Sequence, residues 1–120
     1  MGELRAAVYA RAASDHVPVA DQLAALRVQV AADELRVPTE REFVDNGCSG
    51  ATLARPGLER LRQLVTDGGI DRLYVHAPDR LARTRAHQAL LLSEFQAAGI
   101  EVVVIDRVRS EPAGIRPPRA

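Results

Sequence analysis

The run Leu73–Arg83, LYVHAPDRLAR, places an aspartate and two arginines directly behind an apolar segment. That is chemistry suited to a phosphate. A planar guanidinium offers a fork of N–H donors that matches phosphate oxygens, and a neighbouring carboxylate can fix the fork or exchange a proton. Leu73, Tyr74 and Val75 are strand formers, and Pro78 ends regular pairing because it has no N–H to give. Asp79 and Arg80 therefore fall where a strand gives way to a helix, the edge at which open α/β sheets hold ligands. Arg83 lies three positions beyond Arg80, so a helix running through both would set them on one face. Taken alone, the stretch also fits a plainer reading, with Asp79 as a helix cap and the arginines as solvated surface.

The elements that must position these residues follow from hydrophobic periodicity. Leu4–Tyr9 is a nearly continuous apolar run, as expected for a strand buried on both faces. The run ends in a polar loop without glycine, Tyr9–Asp15, and Pro18 opens a helix with Asp15 as its candidate cap. Val19, Leu23, Leu26 and Val30 form its apolar stripe, with Asp21, Gln22, Gln29 and Asp33 off it, and it ends near Glu34 ahead of Pro38. Glu40–Asp45 reads as a second, more exposed strand, and 46–50 (NGCSG) as a turn-rich loop. Pro56 opens a second helix with Leu58, Leu61, Leu64 and Val65 inward, closed at Asp67-Gly68-Gly69. Ile70–Val75 is the third strand. Thr84–Ala98 is a further helix with Leu90, Leu91, Phe95 and Ala98 inward, capped by Gly99, and Ile100–Ile105 is the fourth strand. The Pro- and Arg-rich segment 107–120 reads as a disordered tail. The predicted fold is α/β, one domain over residues 1–106 with a mainly parallel four-stranded sheet flanked by helices.

A parallel sheet puts the carboxyl ends of its strands on one side. Tyr9, Arg11, Ser14 and Asp15 arrive there after strand one, Asp45, Ser49 and Arg55 after strand two, and Asp79, Arg80 and Arg83 after strand three. Four arginines, carboxylates and hydroxyls far apart in sequence thus meet at one edge, as a phosphate or phosphodiester site requires. The composition narrows the alternatives. Sixteen basic and sixteen acidic residues cancel, so no overall field draws the chain to nucleic acid or membrane, and only the placement of charge carries information. All of the basic residues are arginine. One cysteine rules out an internal disulfide, and His16, His76 and His87 lack ligand spacing, so no metal is expected. Neither GxxxxGK[ST] nor GxGxxG occurs, which argues against nucleotide binding of the usual kinds. An aspartyl-phosphate receiver would want an acidic pair after strand one, where this chain has arginine. No signal pattern and no apolar run of membrane length occurs, so the expected setting is the cytoplasm, without membrane.

Tyr9-x-Arg11, DQLAALR (21–27), FVDNGCSGATLARPGL (43–58) and PDRLAR (78–83), in that order and spacing, resemble the catalytic domain of serine recombinases: resolvases, invertases and large serine integrases. Gln88, the 90–95 helix and Ala98–Val102 add to the likeness. The resemblance implies a resolvase-like fold and a serine hydroxyl that attacks a DNA phosphodiester, leaving a 5′-phosphoserine link and a free 3′-hydroxyl. It implies no cofactor, because arginines neutralise the developing charge. By the same resemblance Arg11, Arg55, Arg80 and Arg83 grip the phosphate, Gln22 and Asp45 orient the site, and Asp79 serves as general acid or fixes the arginine fork. DNA is the implied partner, with self-association or pairing to another recombinase subunit.

The chain departs from the pattern at the nucleophile. The family has Tyr-x-Arg-x-Ser, and Ala13 stands at the serine position, with Ser14 one residue later. An extended backbone turns consecutive side chains to opposite sides, and loss of a nucleophile removes nearly all rate. Ala77-Pro78 replaces a lysine many members carry, and no long subunit-pairing helix follows the fourth strand. Three readings stay open: a degenerate, truncated catalytic domain, inactive as the isolated chain; an active strand-transfer enzyme using Ser14; and a non-enzymatic module that binds DNA phosphate or pairs with an intact recombinase.

Overall fold

The computed structural model describes residues 4–12, 19–46 and 55–105. Four strands, β1 (Ala6–Ala12), β2 (Glu42–Asn46), β3 (Arg72–Val75) and β4 (Glu101–Val104), form one sheet in the order β2-β1-β3-β4, every pair parallel. This is the expected α/β architecture. The two central strands are the two with fully buried sequences, AAVYARA and RLYV, whereas the edge strand β4 is half-exposed.

Four helices connect the strands: α1 (Val19–Ala32), α2 (Pro56–Thr66), the single turn α3 (Pro78–Leu81) and α4 (Arg85–Ala97), with a 3-10 turn at Thr39–Arg41 before β2. Strand alternation divides the core between the two sheet faces. Ala7, Tyr9, Leu73 and Val75 pack with Leu58, Leu61, Leu81, Leu91 and Phe95 under α2–α4. Ala6, Val8, Ala10, Tyr74 and Val103 pack with Leu26 and Val30 under α1.

Helix ends share one device. Gly68 (φ 73°) and Gly99 (φ 81°) supply the left-handed residue after α2 and α4, and the next N–H returns to the carbonyl five residues back, Gly69 to Leu64 and Ile100 to Phe95. After α1 the same geometry is made by Glu34 at φ 63°, with Leu35 N–H bonded to the Val30 carbonyl. A glutamate there gave no stop signal in the sequence, yet the helix ends within two residues of the expected place.

Several expectations are corrected. β1 runs three residues beyond Tyr9, so Tyr9 and Arg11 belong to a buried strand and not to a loop. The inward stripe of α1 is Gln22, Leu26 and Val30, continued by Asp33 just past its end: two of the four polar residues placed off the stripe, Gln22 and Asp33, are buried, while Val19 and Leu23 are only half-buried. Each has a polar partner waiting, which is why they can be inside. Leu90 is exposed (51 %), as is Ala98, because α4 presents Leu91 and Phe95 to the sheet instead. Ala13, Ser14, Asp15, Pro18, the 47–50 loop with Ser49 and the 107–120 tail lie outside the described residues.

Candidate active site

The site is built where β1 outruns its neighbour. The last register pair between β1 and β3 is Tyr9 with Val75, so Arg11 projects past β3 into space filled by α3. Period-two alternation puts Arg11 on the same face as Tyr9, the face covered by α2, α3 and α4. The Arg11 backbone is held by Gln22, which is fully buried: its Nε2 donates to the Arg11 carbonyl (2.8 Å) and its Oε1 accepts the Arg11 N–H (3.3 Å). One side-chain amide thus replaces the strand that is missing there.

Three arginines then converge on a single turn. Arg11 Nη2 donates to the Asp79 carbonyl (2.6 Å) and its Nε to the Arg80 carbonyl (3.2 Å). Arg55, the residue immediately before α2, donates through Nη2 to the Leu81 carbonyl and through Nη1 to the Arg80 carbonyl (3.4 Å). Arg80 returns a bond from Nη1 to the Arg11 carbonyl (3.1 Å). A one-turn helix leaves its carbonyls without intrahelical partners, and these are what the guanidiniums occupy. Arg11 and Arg55 are 6 % and 1 % exposed and the Arg80 side chain is 14 % exposed, so two buried like charges and one half-buried one share the corner. Burial first, and then the positive charges of Arg55 and Arg80, lower the Arg11 pKa. Such a cluster concentrates positive charge that an anion would relieve. Arg55 Nε is buried with no hydrogen-bond partner among the described residues.

Asp45 ties the corner together. At the end of β2 and 3 % exposed, it accepts the Gly57 N–H at Oδ1 (2.7 Å) and the Leu58 N–H at Oδ2 (2.9 Å). It therefore caps α2 from a distance, since Arg55 at the cap position makes no such bond and Pro56 has no N–H. The Tyr9 hydroxyl donates to Asp45 Oδ2 (2.7 Å) and accepts from Arg55 Nη1 (3.0 Å). Tyr9 is thus the link between the capping carboxylate and the arginine cluster, and the Arg55 guanidinium carbon lies 5.8 Å from its ring centre. Burial, followed by the bond to Asp45, raises the Tyr9 pKa and keeps the phenol protonated. The sequence placed Tyr9 at this edge without a role. The signal was there in its spacing of two from Arg11, which puts both on one strand face.

Asp79 and Arg83 sit differently. The Asp79 carboxylate is exposed and pairs with Arg80 Nε at 3.2 Å as an ion pair without hydrogen-bond alignment, so Arg80 Nε has no hydrogen-bond partner among the described residues. Asp79 is not the α3 cap: that position is Ala77, with Pro78 first in the turn. Arg80 and Arg83 do not share a helix face, because α3 ends at Leu81 and Ala82 is extended (φ −159°, ψ 155°). Arg83 is exposed and is not brought to the cluster by any hydrogen bond or ion pair among the described residues, whereas Arg11 and Arg55 are enclosed. Of the residues predicted for the site, Arg11, Gln22, Asp45, Arg55 and Arg80 are brought together, Asp79 joins through its backbone, and Ser14 lies outside the described residues. Among the described residues, no three His, Cys, Asp or Glu side chains gather to hold a metal ion, and no helix is long and apolar enough to cross a membrane.

The comparisons agree with this architecture. Residues 6–115 match the family model described as "Resolvase, N terminal domain". The transposon Tn3 resolvase of Escherichia coli is 34 % identical over 98 residues, spanning 82 % of this chain and 48 % of that protein. Among solved structures, the N-terminal catalytic domain of TP901-1 integrase superposes with a TM-score of 0.77 at 25 % identity, covering 86 % of this chain and 79 % of that one. The C-terminal catalytic domain of ISC1926 TnpA, an IS607-like serine recombinase, gives 0.76 at 25 % identity, over 96 % and 71 % of the two chains. The chain spans about half the length of the Tn3 resolvase it matches. With a four-stranded parallel sheet, a matched sequence profile over most of its length and these structural neighbours, the chain belongs to the resolvase N-terminal domain family.

Proposed function

We propose that this chain is a phosphodiester-gripping catalytic domain of the serine-recombinase type, acting on DNA, in which the nucleophile position is held by Ala13. The observation that carries the reading is the convergence of Arg11 and Arg55 on the turn that carries Arg80, at the carboxyl edge of the sheet, with a buried Arg55 Nε that has no hydrogen-bond partner among the described residues. Preorganised positive charge of this kind is what a phosphoryl-transfer transition state needs, since charge grows on the equatorial oxygens as the attacking group arrives. In this reading Arg11, Arg55, Arg80 and Arg83 contact the phosphate. Gln22 fixes Arg11 through its backbone, and Asp45 fixes Arg55 through Tyr9. Asp79, exposed and beside Arg80, steadies that guanidinium or passes a proton to the leaving oxygen. A serine at position 13 would attack phosphorus, forming the serine–phosphate bond while the 3′ oxygen departs with a proton. Alanine cannot, and Ser14 is the hydroxyl nearest in sequence. Self-association or pairing with an intact recombinase subunit would bring two such sites to a duplex.

The test is a covalent protein–DNA adduct assay, with the chain fused to a DNA-binding domain and supplied with supercoiled substrate. The chain itself, Ala13→Ser and Ser14→Ala are compared. An adduct from Ala13→Ser alone is the expected result, and shows a sound pocket that lacks only its serine. An adduct from the unaltered chain that vanishes with Ser14→Ala assigns the nucleophile to Ser14 instead. No adduct from any of them refutes strand transfer and leaves a binding module.

A further inference from the structure

Gln88, on α4 and outside the arginine cluster, is bonded to the segment that carries Arg83. Between the end of α3 at Leu81 and the start of α4 at Arg85 the chain is extended at Ala82, bends at Arg83 and Thr84 and has no ladder partner, so its path is set by side chains. Arg55 holds the Leu81 carbonyl. One residue on, Gln88 Nε2 donates to the Ala82 carbonyl at 3.0 Å. Thr84 then caps α4, its hydroxyl accepting the His87 N–H at 3.1 Å. The peptide between Ala82 and Arg83 is therefore oriented by the Gln88 bond, and that peptide plane sets the direction of the Arg83 N–Cα bond, from which its side chain departs. Ala82 itself is fully buried, so its carbonyl has no easy exchange to water.

We infer that Gln88 is a positioning residue, which aims Arg83 at the phosphate by holding the Ala82 carbonyl. The inference rests on the phosphate-site reading above and adds a residue to it. Gln88 reaches neither the cluster's guanidiniums nor a reacting atom by any bond seen here. Its effect on binding must therefore pass through Arg83.

A salt titration of the full chain with a short DNA duplex, combined with a double-mutant cycle, tests this. Each phosphate contact contributes about 0.9 to the slope of log affinity against log salt. Gln88→Met keeps length, helix propensity and charge while removing the donor, and Gln88→Ala serves if the methionine form folds poorly. Arg83→Ala and Gln88→Met are each expected to lower the slope by about one, and the double variant by no more than either alone. An unchanged slope in Gln88→Met, or losses that add in the double variant, overturns the inference. If Arg11→Ala lowers the slope but Arg83→Ala does not, the Gln88 role fails while the phosphate site stands. If wild type shows no salt-dependent binding, or no arginine variant changes the slope, both fail together.

Discussion

Asp45 is read from the structure as a remote helix cap as much as a site residue, and the two roles separate on substitution. Its Oδ1 accepts from Gly57 N–H, and its Oδ2 from Leu58 N–H and the Tyr9 hydroxyl, all in a buried setting. Removing a cap costs about 1 kcal/mol, and a buried donor left without an acceptor costs about 1–3 kcal/mol more. Asp45→Ala strips acceptors from two backbone donors and one phenol, so a loss of about 3–4 kcal/mol is expected. Asp45→Asn is the sharper test. Both carboxylate oxygens face donors, so either orientation of an amide turns its NH2 group onto an N–H. The asparagine variant is therefore expected to lose about 2–3 kcal/mol despite its near-identical shape. Near the melting temperature about 1 kcal/mol corresponds to roughly 4 °C for a domain of this size, so melting is expected to fall by about 8–12 °C for Asn and somewhat more for Ala. Urea unfolding followed by circular dichroism gives the free energies directly. Asp45→Asn within about 0.5 kcal/mol of wild type would refute the capping argument, since surface polar changes account for that much.

Other consequences follow from single contacts. A methyl group added at Gly57 would lie 2.7 Å from the Val44 carbonyl oxygen and 2.9 Å from Asp45 Oδ2, so Gly57→Ala is expected to destabilise by more than about 1 kcal/mol in urea titration. At an open helical position the same change would stabilise by about 1 kcal/mol, and that outcome would sink the packing claim. Glu34 holds a left-handed conformation at the end of α1, so Glu34→Gly is expected to raise stability by about 0.5–1 kcal/mol, read as a higher urea midpoint. Burial, with the bond to Asp33 Oδ2 (2.7 Å), pushes the Tyr74 pKa up to about 12. The folded state holds this proton more tightly than the unfolded chain, so the stability it brings is intact below pH ~10 and drains as pH rises toward about 12. Tyr74→Phe is expected to flatten that alkaline decline in unfolding free energies measured from pH 9 to 11.5, and an unchanged slope would contradict it.

How much of this was legible in the sequence differs by kind of signal. Strand identity and parallel order were carried by apolar runs and by helical periodicity, because burial on both sheet faces leaves an apolar mark in 6–9 (AAVY) and 73–75 (LYV), which breaks where Arg11 and Arg72 are buried. Two glycine stops were legible because only their left-handed conformations demanded them, whereas the third stop fell to Glu34 and left no mark. Buried polar residues were invisible for a physical reason: Gln22, Asp33 and Arg72 look solvated until the partner that satisfies each is known. Gln22 is inside because β1 outruns β3 and exposes the Arg11 backbone. Asp33 and Arg72 are inside because Tyr74 and Glu101 meet them, with Tyr74 donating to Asp33 and Arg72 Nη2 lying 2.7 Å from Glu101 Oε1. No periodicity encodes a partner that lies on another element.

The same reasoning bears on the cluster. The arginines were legible as a set because they follow strand ends, but their state was not. Arg11 and Arg55 point their donors at the carbonyls of α3 while Arg80 donates to the Arg11 carbonyl, so the turn that carries Arg80 also accepts from its neighbours. A phosphate entering the pocket competes with main-chain carbonyls, which are neutral and so make the weaker bond, roughly half as strong as one to an ionised acceptor. The exchange is therefore downhill for the guanidiniums, and its cost falls on the orphaned carbonyls of α3. That cost is smallest for Leu81 and Arg80 if the turn can shift toward water, and largest if Gln88 and Thr84 pin the segment behind it. The rigidity that aims Arg83 is in this sense the same rigidity that resists loading of the other three arginines, so a looser 82–84 segment trades Arg83 for easier entry.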